Sequence, residues 1–313
     1  MIDLFDDKEI DPMLISEQKE PFDSDEYIFE IKFDGIRCMA YLDVHSDLRN
    51  KKHMMLQYKI PELEDIHKQV KGKCILDGEL VVLKNGNPDF YEIQRRAILT
   101  DKFKICIAAK QLPATFIAYD ILYYKNEETI NMPLLERKRL LQDVIIENKR
   151  IMISRYVENN GLMLYDIVKE KKLEGMVAKR KDSKYQIGKR SKYWIKCKIY
   201  NSIDAVVCGW VKNREDMTNI IIGQYDGTKL VYKGLVNLGA GLRHINKHGY
   251  KKIDYSPFGY VPYSCNGATW IEPDIVCIIE YMPSEREAMR LAVFKGIRDD
   301  KSPIECQINN NEA

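Results

Sequence analysis

The string Glu30-Ile31-Lys32-Phe33-Asp34-Gly35-Ile36-Arg37 sets a lysine between two carboxylates where an apolar strand meets a glycine. Strand side chains alternate, so Glu30, Lys32 and Asp34 are expected on one face and Ile31 and Phe33 on the other. A surface strand with charge-paired residues would carry the same string. Cys74-Ile75-Leu76-Asp77-Gly78-Glu79-Leu80-Val81-Val82 is an apolar strand interrupted by two acids. An acid beside Leu80-Val81-Val82 is either a solvated turn residue or one that meets a ligand, metal or cation. Glu174-Gly175-Met176-Val177-Ala178-Lys179 repeats the pattern of acid, glycine and apolar strand. In Trp194-Ile195-Lys196-Cys197-Lys198 the two lysines share a face with Trp194, and same-face lysines repel unless an anion lies between them. Together these strings suit a nucleotide with a divalent cation. Magnesium takes one or two carboxylates plus phosphate oxygens, and lysines serve phosphate as point charges. Neither G-x-x-x-x-G-K-[ST] nor G-x-G-x-x-G occurs, so phosphate is expected to be held by side chains.

The elements expected to carry these residues are strands at 27–42, 74–83, 115–124, 175–180 and 193–199, with helical spacing at 61–70, 90–99, 134–147 and 161–171. This is an α+β or mixed pattern. After Ile199 the texture becomes short strands with turn signals, including Asp226-Gly227, which suggests a small β-barrel. The 313 residues are therefore expected to form two domains, 1–200 and 201–313, with the boundary near Tyr200 to Ser202. Apolar residues make up 45% and charged residues 31%, which excludes a disordered chain. The net charge of +2 says little, but its distribution is uneven. Residues 1–30 hold eleven acids against two lysines, whereas 179–198 hold nine basic residues against Asp182 alone. No apolar run has the length of a membrane span, and the acidic N-terminus lacks the features of a signal peptide, so no membrane association and a cytoplasmic (bacterial cytosol, nucleoid-associated) location are expected. The eight cysteines are scattered, with no C-x-x-C pair, and are expected to be reduced core filler.

In order and spacing, Lys32-x-Asp34-Gly35 with Arg37, Arg49 in LRN, Asp77-Gly78-Glu79, Phe116 in FIAYD, Glu174-Gly175 with Lys179, and Trp194-x-Lys196-x-Lys198 resemble the motifs of ATP-dependent DNA ligases. The match extends through YKIPEL, Arg95-Arg96, PLLERKRLL and YQIGKRSKYWIKCK to Arg298-Asp299-Asp300-Lys301, and is closest to the ligase part of bacterial ligase D. The resemblance implies a nucleotidyltransferase (ATP-grasp-like ligase) domain with antiparallel sheets and flanking helices, followed by a C-terminal OB-fold barrel. It implies a three-step reaction. Lys32 attacks the ATP α-phosphate, AMP passes to a DNA 5′-phosphate, and a 3′-hydroxyl displaces AMP. By the same resemblance, Glu30 and the backbone at Ile31 meet the adenine, Phe116 stacks on it, and Arg37 and Arg49 lie near the ribose or terminal phosphate. Glu79 serves the ribose or the metal, and Glu174 helps hold magnesium (or manganese). Arg190, Lys196 and Lys198 surround the α-phosphate, and Arg298 and Lys301 contact the leaving pyrophosphate. The implied partners are nicked duplex DNA and a Ku-like end-binding protein, with a monomeric enzyme.

Lys32 lies close to the start of the chain, so the extra N-terminal DNA-binding domain of larger ligases, and polymerase or nuclease modules, are not expected. RNA ligases and mRNA capping guanylyltransferases share K-x-D-G and paired lysines; Arg298-Asp-Asp-Lys301 and the Asp77–Val82 context favour DNA ligase. NAD as donor is disfavoured because the accessory segments of that class have no counterpart. A non-catalytic nucleic-acid binder has no need of intact Lys32, Glu79, Glu174, Lys196 and Lys198.

Overall fold

The computed structural model describes residues 3–212, 218–238, 245, 249–282 and 289–308. The chain divides into compact units at residues 1–198 and 199–313, two residues before the expected boundary. None of the described helices is long and apolar enough to cross a membrane.

The first unit is built on two sheets. One has the order Leu14–Glu17, Arg190–Lys198, Gly175–Arg180, Tyr27–Ile31, Tyr156–Glu158. It is antiparallel except for the parallel pairing of Leu14–Glu17 with Arg190–Lys198. The other runs Ser46–Asn50, Ile36–Leu42, Cys74–Lys84, Ala114–Tyr124, Glu127–Glu128, with Ile151–Ile153 joining Ala114–Tyr124 in parallel. Alternation gives this second sheet two apolar faces. Cys38, Ala40, Leu42, Leu76, Leu80, Phe116 and Ala118 pack with Leu63, Ile93, Leu141 and Val144. On the opposite face Met39, Tyr41, Ile75 and Tyr123 pack with Met13, Tyr185 and Trp194. Seven of the eight cysteines are buried, Cys106 being the exposed one, as core filler requires.

The strand expected over 27–42 is two strands in two different sheets, Tyr27–Ile31 and Ile36–Leu42. The chain changes sheets at Lys32–Gly35, and Gly35 makes the crossing possible: a Cβ there would lie 2.2 Å from the Leu80 carbonyl oxygen. Lys32 is consequently off the strand, and the expected shared strand face of Glu30, Lys32 and Asp34 does not form. The expected helix at 61–70 is a pair of 3-10 turns, Pro61–Leu63 and Ile66–Gln69, neither of which has a side-chain N-cap hydrogen bond. Helices Phe90–Ile98, Leu134–Val144 and Gly161–Glu170 lie where the spacing put them. An additional helix, Lys102–Gln111, starts at Asp101, whose side chain accepts from the Lys104 amide at 2.8 Å.

In the second unit the strands Asn201–Lys212, Thr218–Asp226, Lys229–Asn237, Arg290–Ile297, Thr269–Met282 and Lys252–Ile253 pair in that order, and Asn201–Lys212 also pairs with Thr269–Met282. Five of the strands thus form a closed circuit of pairings. Lys229–Asn237 meets Arg290–Ile297 in parallel, the other neighbours being antiparallel. Asp226-Gly227 forms the expected hairpin turn, with Asp226 opposite Lys229.

Candidate active site

A cavity in the first unit is lined by Glu30 and Ile31 at the end of one strand, by Lys32 and Phe33 just beyond it, by Arg37 and Glu79 from the second sheet, and by Ile15, Tyr119, Val177, Lys179 and Trp194. Lys32 is placed by its backbone: its amide donates to the Gly175 carbonyl at 2.9 Å. Gly175 sits at φ +152°, and a Cβ there would meet the Cys197 carbonyl oxygen at 2.3 Å, so both conformation and space call for glycine. Lys32 Nζ lies 2.5 Å from Glu174 Oε2, with about one-fifth of its side chain exposed. The other oxygen of Glu174 is 3.5 Å from Lys198 Nζ. One carboxylate therefore bridges Lys32 and a lysine of the Trp194-x-Lys196-x-Lys198 strand.

Arg37 is held rigidly at the cavity wall. Its Nε and Nη2 donate to the two Asp77 oxygens at 2.7 and 2.5 Å, and Nη2 also donates to the Met13 carbonyl at 3.1 Å. The Tyr185 hydroxyl donates to Asp77 Oδ2 at 2.7 Å. The guanidinium carbon lies 5.1 Å from the Tyr119 ring centroid and 5.7 Å from that of Trp194. Asp77 is fully buried and does its work through Arg37.

On the inner wall Glu30 and Lys179, both singled out from the sequence, are joined by Lys138, which was not. Lys179 Nζ sits 4.5 and 4.3 Å from the Tyr119 and Trp194 ring centroids and 3.1 Å from Glu30 Oε1. Lys138, from the helix Leu134–Val144, approaches the same oxygen at 2.6 Å, and Ser154 Oγ donates to Oε2 at 2.6 Å. Burial pulls the Lys179 ammonium down to about 8, with Glu30 opposing the shift and Lys138 adding to it. Glu79 is displaced the opposite way. Burial pushes its carboxyl up to about 8, Lys32 and Arg37 oppose this, and Glu174 and Asp77 reinforce it.

The Glu79 shift has a measurable consequence. The folded protein keeps this proton up to about pH 8, whereas an unfolded glutamate releases it near 4.5. The contribution of the neutral acid to stability is complete below pH 4.5 and is lost as pH rises to about 8. Glu79→Gln cannot titrate, so its melting temperature minus that of the wild type should increase from about pH 5 to about pH 8. A difference that stays flat across this range, measured by thermal denaturation, contradicts the shift.

Of the residues singled out from the sequence, Glu30, Ile31, Lys32, Arg37 and Glu79 line the cavity, and Glu174 and Lys198 adjoin it through Lys32. Lys196 pairs with Glu17 at 2.9 Å. Arg49 does not line the cavity: it is paired with Asp47 at 3.0 Å and donates to the Lys8 carbonyl. Arg190 is an exposed residue bonded to the Ile15 carbonyl. Phe116, expected to stack on adenine, is fully buried among Ala40, Leu80 and Ile151 on the far face of its sheet. Tyr119 is the aromatic of that strand that lines the cavity. Phe116 pairs with Leu80 and Ile117 with Glu79, so side chains of Tyr119's parity share the Glu79 face. Arg298 and Lys301 lie in the second unit, where both bind Asp204 Oδ2, at 2.8 and 2.7 Å.

This donor set fits a nucleotide with its cation: aromatic rings and Glu30 for a base, cationic side chains for phosphate, and two electrostatically coupled carboxyls, Glu79 and Glu174. Residues 12–198 match the family described as ATP dependent DNA ligase domain, and residues 213–301 match the ATP dependent DNA ligase C terminal region. The chain belongs to the ATP-dependent DNA ligases. It is 29% identical to the SPbeta prophage-derived DNA ligase-like protein LigB of Bacillus subtilis, covering 92% of this ligase and 99% of that protein. It is 27% identical to the multifunctional non-homologous end joining protein LigD of Mycolicibacterium smegmatis, over 94% of this ligase but 39% of that longer chain. Among solved structures, mycobacterial DNA ligase D complexed with ATP and MES shares the fold, with a TM-score of 0.55 at 24% identity, covering 96% of this chain and 99% of that one. A Lig E DNA ligase, studied as a minimal scaffold for DNA binding, does so with a TM-score of 0.60 at 15% identity, over 91% and 99%.

Proposed function

We propose that this ligase seals nicks with 5′-phosphate and 3′-hydroxyl ends through a lysyl-AMP intermediate on Lys32. The observation that carries this reading is Lys32 Nζ at the edge of a cavity furnished for a nucleotide, 2.5 Å from Glu174. In the first step Nζ forms a bond to the ATP α-phosphorus while the Pα–O bond to pyrophosphate breaks. The electron pair leaves on pyrophosphate and the lysine protons pass to solvent. Glu30 and Lys179 serve the base, Tyr119 and Trp194 flank it, Arg37 and Glu79 serve the ribose, and Lys196 and Lys198 stabilise charge on the α-phosphate. Glu174 and Glu79, the latter ionised by the cation's charge, would hold a magnesium ion, which supplies Lewis-acid charge stabilisation when bound. Arg298 and Lys301 act on the leaving pyrophosphate. The closed strand circuit of the second unit supports reading it as an OB-fold, a scaffold suited to nucleic acid.

Lys184, Lys189, Arg190 and Lys192 are exposed and are assigned to DNA phosphates, read without regard to base sequence. Sealing of a nicked duplex should therefore fall steeply between 50 and 200 mM salt, by about 10^3-fold if six or more phosphates are contacted. A sealing rate indifferent to salt contradicts that assignment. The relatives named for end joining support a place in end joining; a Ku-like end-binding partner belongs to the same reading. The deciding experiment offers the purified, nucleotide-free protein magnesium with α-labelled ATP, GTP or NAD, followed by a chase with nicked, 5′-phosphorylated DNA. Covalent label from ATP alone that disappears as the nick closes is the expected result. Label from GTP points to capping chemistry, and no label from any donor overturns the reading.

A further inference from the structure

The two C-terminal cations meet a residue to which the catalytic reading gives no part. Asp204 lies near the start of the strand Asn201–Lys212, about four-fifths buried. Its Oδ2 accepts from Arg298 Nη1 at 2.8 Å and from Lys301 Nζ at 2.7 Å. The strand position is fixed from both sides: Asp204 pairs with Ile278, and its carbonyl accepts from Gln224 Nε2 at 3.0 Å. The Arg298 amide is in turn bound to the Val276 carbonyl at 2.8 Å. Arg298 has a second support, since Nε and Nη2 donate to the two Asp300 oxygens at 3.0 and 2.6 Å. For Lys301 the carboxylate in contact is Asp204. Two cations converging on one oxygen reproduce the arrangement that a terminal phosphate oxygen offers, and both retain exposed surface through which an anion can reach them.

We propose that Asp204 is a positioning residue for adenylation, holding Lys301 beside Arg298 at the spacing required by a pyrophosphate leaving group. The proposal rests on the pyrophosphate role of Arg298 and Lys301. Because Asp300 retains Arg298 when Asp204 is neutralised, the loss falls on Lys301, and on charge that develops as pyrophosphate departs rather than on ground-state ATP. No pyrophosphate is involved when the enzyme closes a nick that already carries DNA-adenylate, so that reaction is the internal control.

The experiment compares wild type, Asp204→Asn, Lys301→Ala, Arg298→Ala and the Asp204→Asn/Lys301→Ala double variant in two assays. One is single-turnover adenylation across ATP concentrations, and the other is sealing of pre-adenylated nicked DNA. Asp204→Asn is expected to slow maximal adenylation about tenfold, equivalent to about 1.4 kcal/mol, with the ATP KM changed less than about threefold. Sealing of DNA-adenylate should stay within about twofold of wild type, and the double variant should be no slower than Lys301→Ala. Equal losses in both assays with a lowered melting temperature mark a merely structural residue and overturn the proposal. Unchanged or faster adenylation overturns it as well, the latter identifying Asp204 as a competitor for the cations. If Lys301→Ala and Arg298→Ala both adenylate at the wild-type rate while Asp204→Asn does not, the pyrophosphate reading itself has failed.

Discussion

Lys32→Ala is expected to carry no covalent AMP after incubation with magnesium and α-labelled ATP, its adenylation falling by at least about 10^4-fold, as when other enzymes lose a nucleophile. The same variant should still close a nick supplied as DNA-adenylate, because Lys32 makes no bond in that step. The cavity contains a second amine, and this makes the test discriminating. Lys179 is pulled down to about 8 and so carries a larger neutral fraction at pH 7.4 than an ordinary lysine. Geometry nevertheless favours Lys32. Lys179 is only 3% exposed, lodged between two rings and bonded to Glu30, whereas Lys32 follows the strand end and reaches solvent. Labelling of Lys32→Ala that is abolished by a further Lys179→Ala change would reassign the nucleophile.

Arg137→Met should cost about 3–5 kcal/mol of stability, because it leaves Asp120 as an uncompensated buried charge. Both side chains are fully buried, with Nε–Oδ1 at 2.7 Å and Nη2–Oδ2 at 2.8 Å, and Arg137 Nη1 also donates to the Met132 and Ser183 carbonyls. The pair fastens the helix Leu134–Val144 to the strand Ala114–Tyr124. The next residue of that helix, Lys138, is the one that meets Glu30 at the cavity wall. A drop in melting temperature of about 10 °C or more is expected at neutral pH. Adding Asp120→Asn to Arg137→Met should recover part of it, since removing both charges is milder than stranding one. A loss below about 1 kcal/mol, the level of an exposed ion pair, would show that the site is hydrated in solution.

Much of the machinery was legible because ligase chemistry dictates residue types in fixed local strings. Glu79 and Glu174 each stand beside a glycine at an apolar run, Lys32 lies three residues before Gly35, and Lys198 alternates with apolar residues in Trp194-x-Lys196-x-Lys198, patterns visible without a structure. The change of texture near residue 200 was legible for a similar reason: strand length and turn residues are local properties. The helix Lys102–Gln111 escaped because its apolar residues are not gathered on one face; Phe103 is exposed beside buried Ala108 and Ala109. The 3-10 turns at 61–69 escaped in the opposite sense, since their apolar spacing is helical but no side-chain cap bond secures either turn.

By itself the sequence determined the family and the order of the motifs and singled out Lys32 as the candidate nucleophile, because each rests on residue type and close spacing. Which side chains meet around the cavity was decided only by tertiary structure. FIAYD offers two aromatics of opposite parity. The pairing of Glu79 with Ile117, rather than with Phe116, puts Tyr119 on the cavity face and Phe116 in the core. Glu30 gains Lys138, Ser154 and Lys179 from three separate elements, and Arg298 and Lys301 gain Asp204 from a strand that begins nearly a hundred residues earlier. Strand register and the burial of charge belong to the assembled sheets. A buried ion requires a partner wherever the fold can bring one, and no local pattern says from which part of the chain that partner comes.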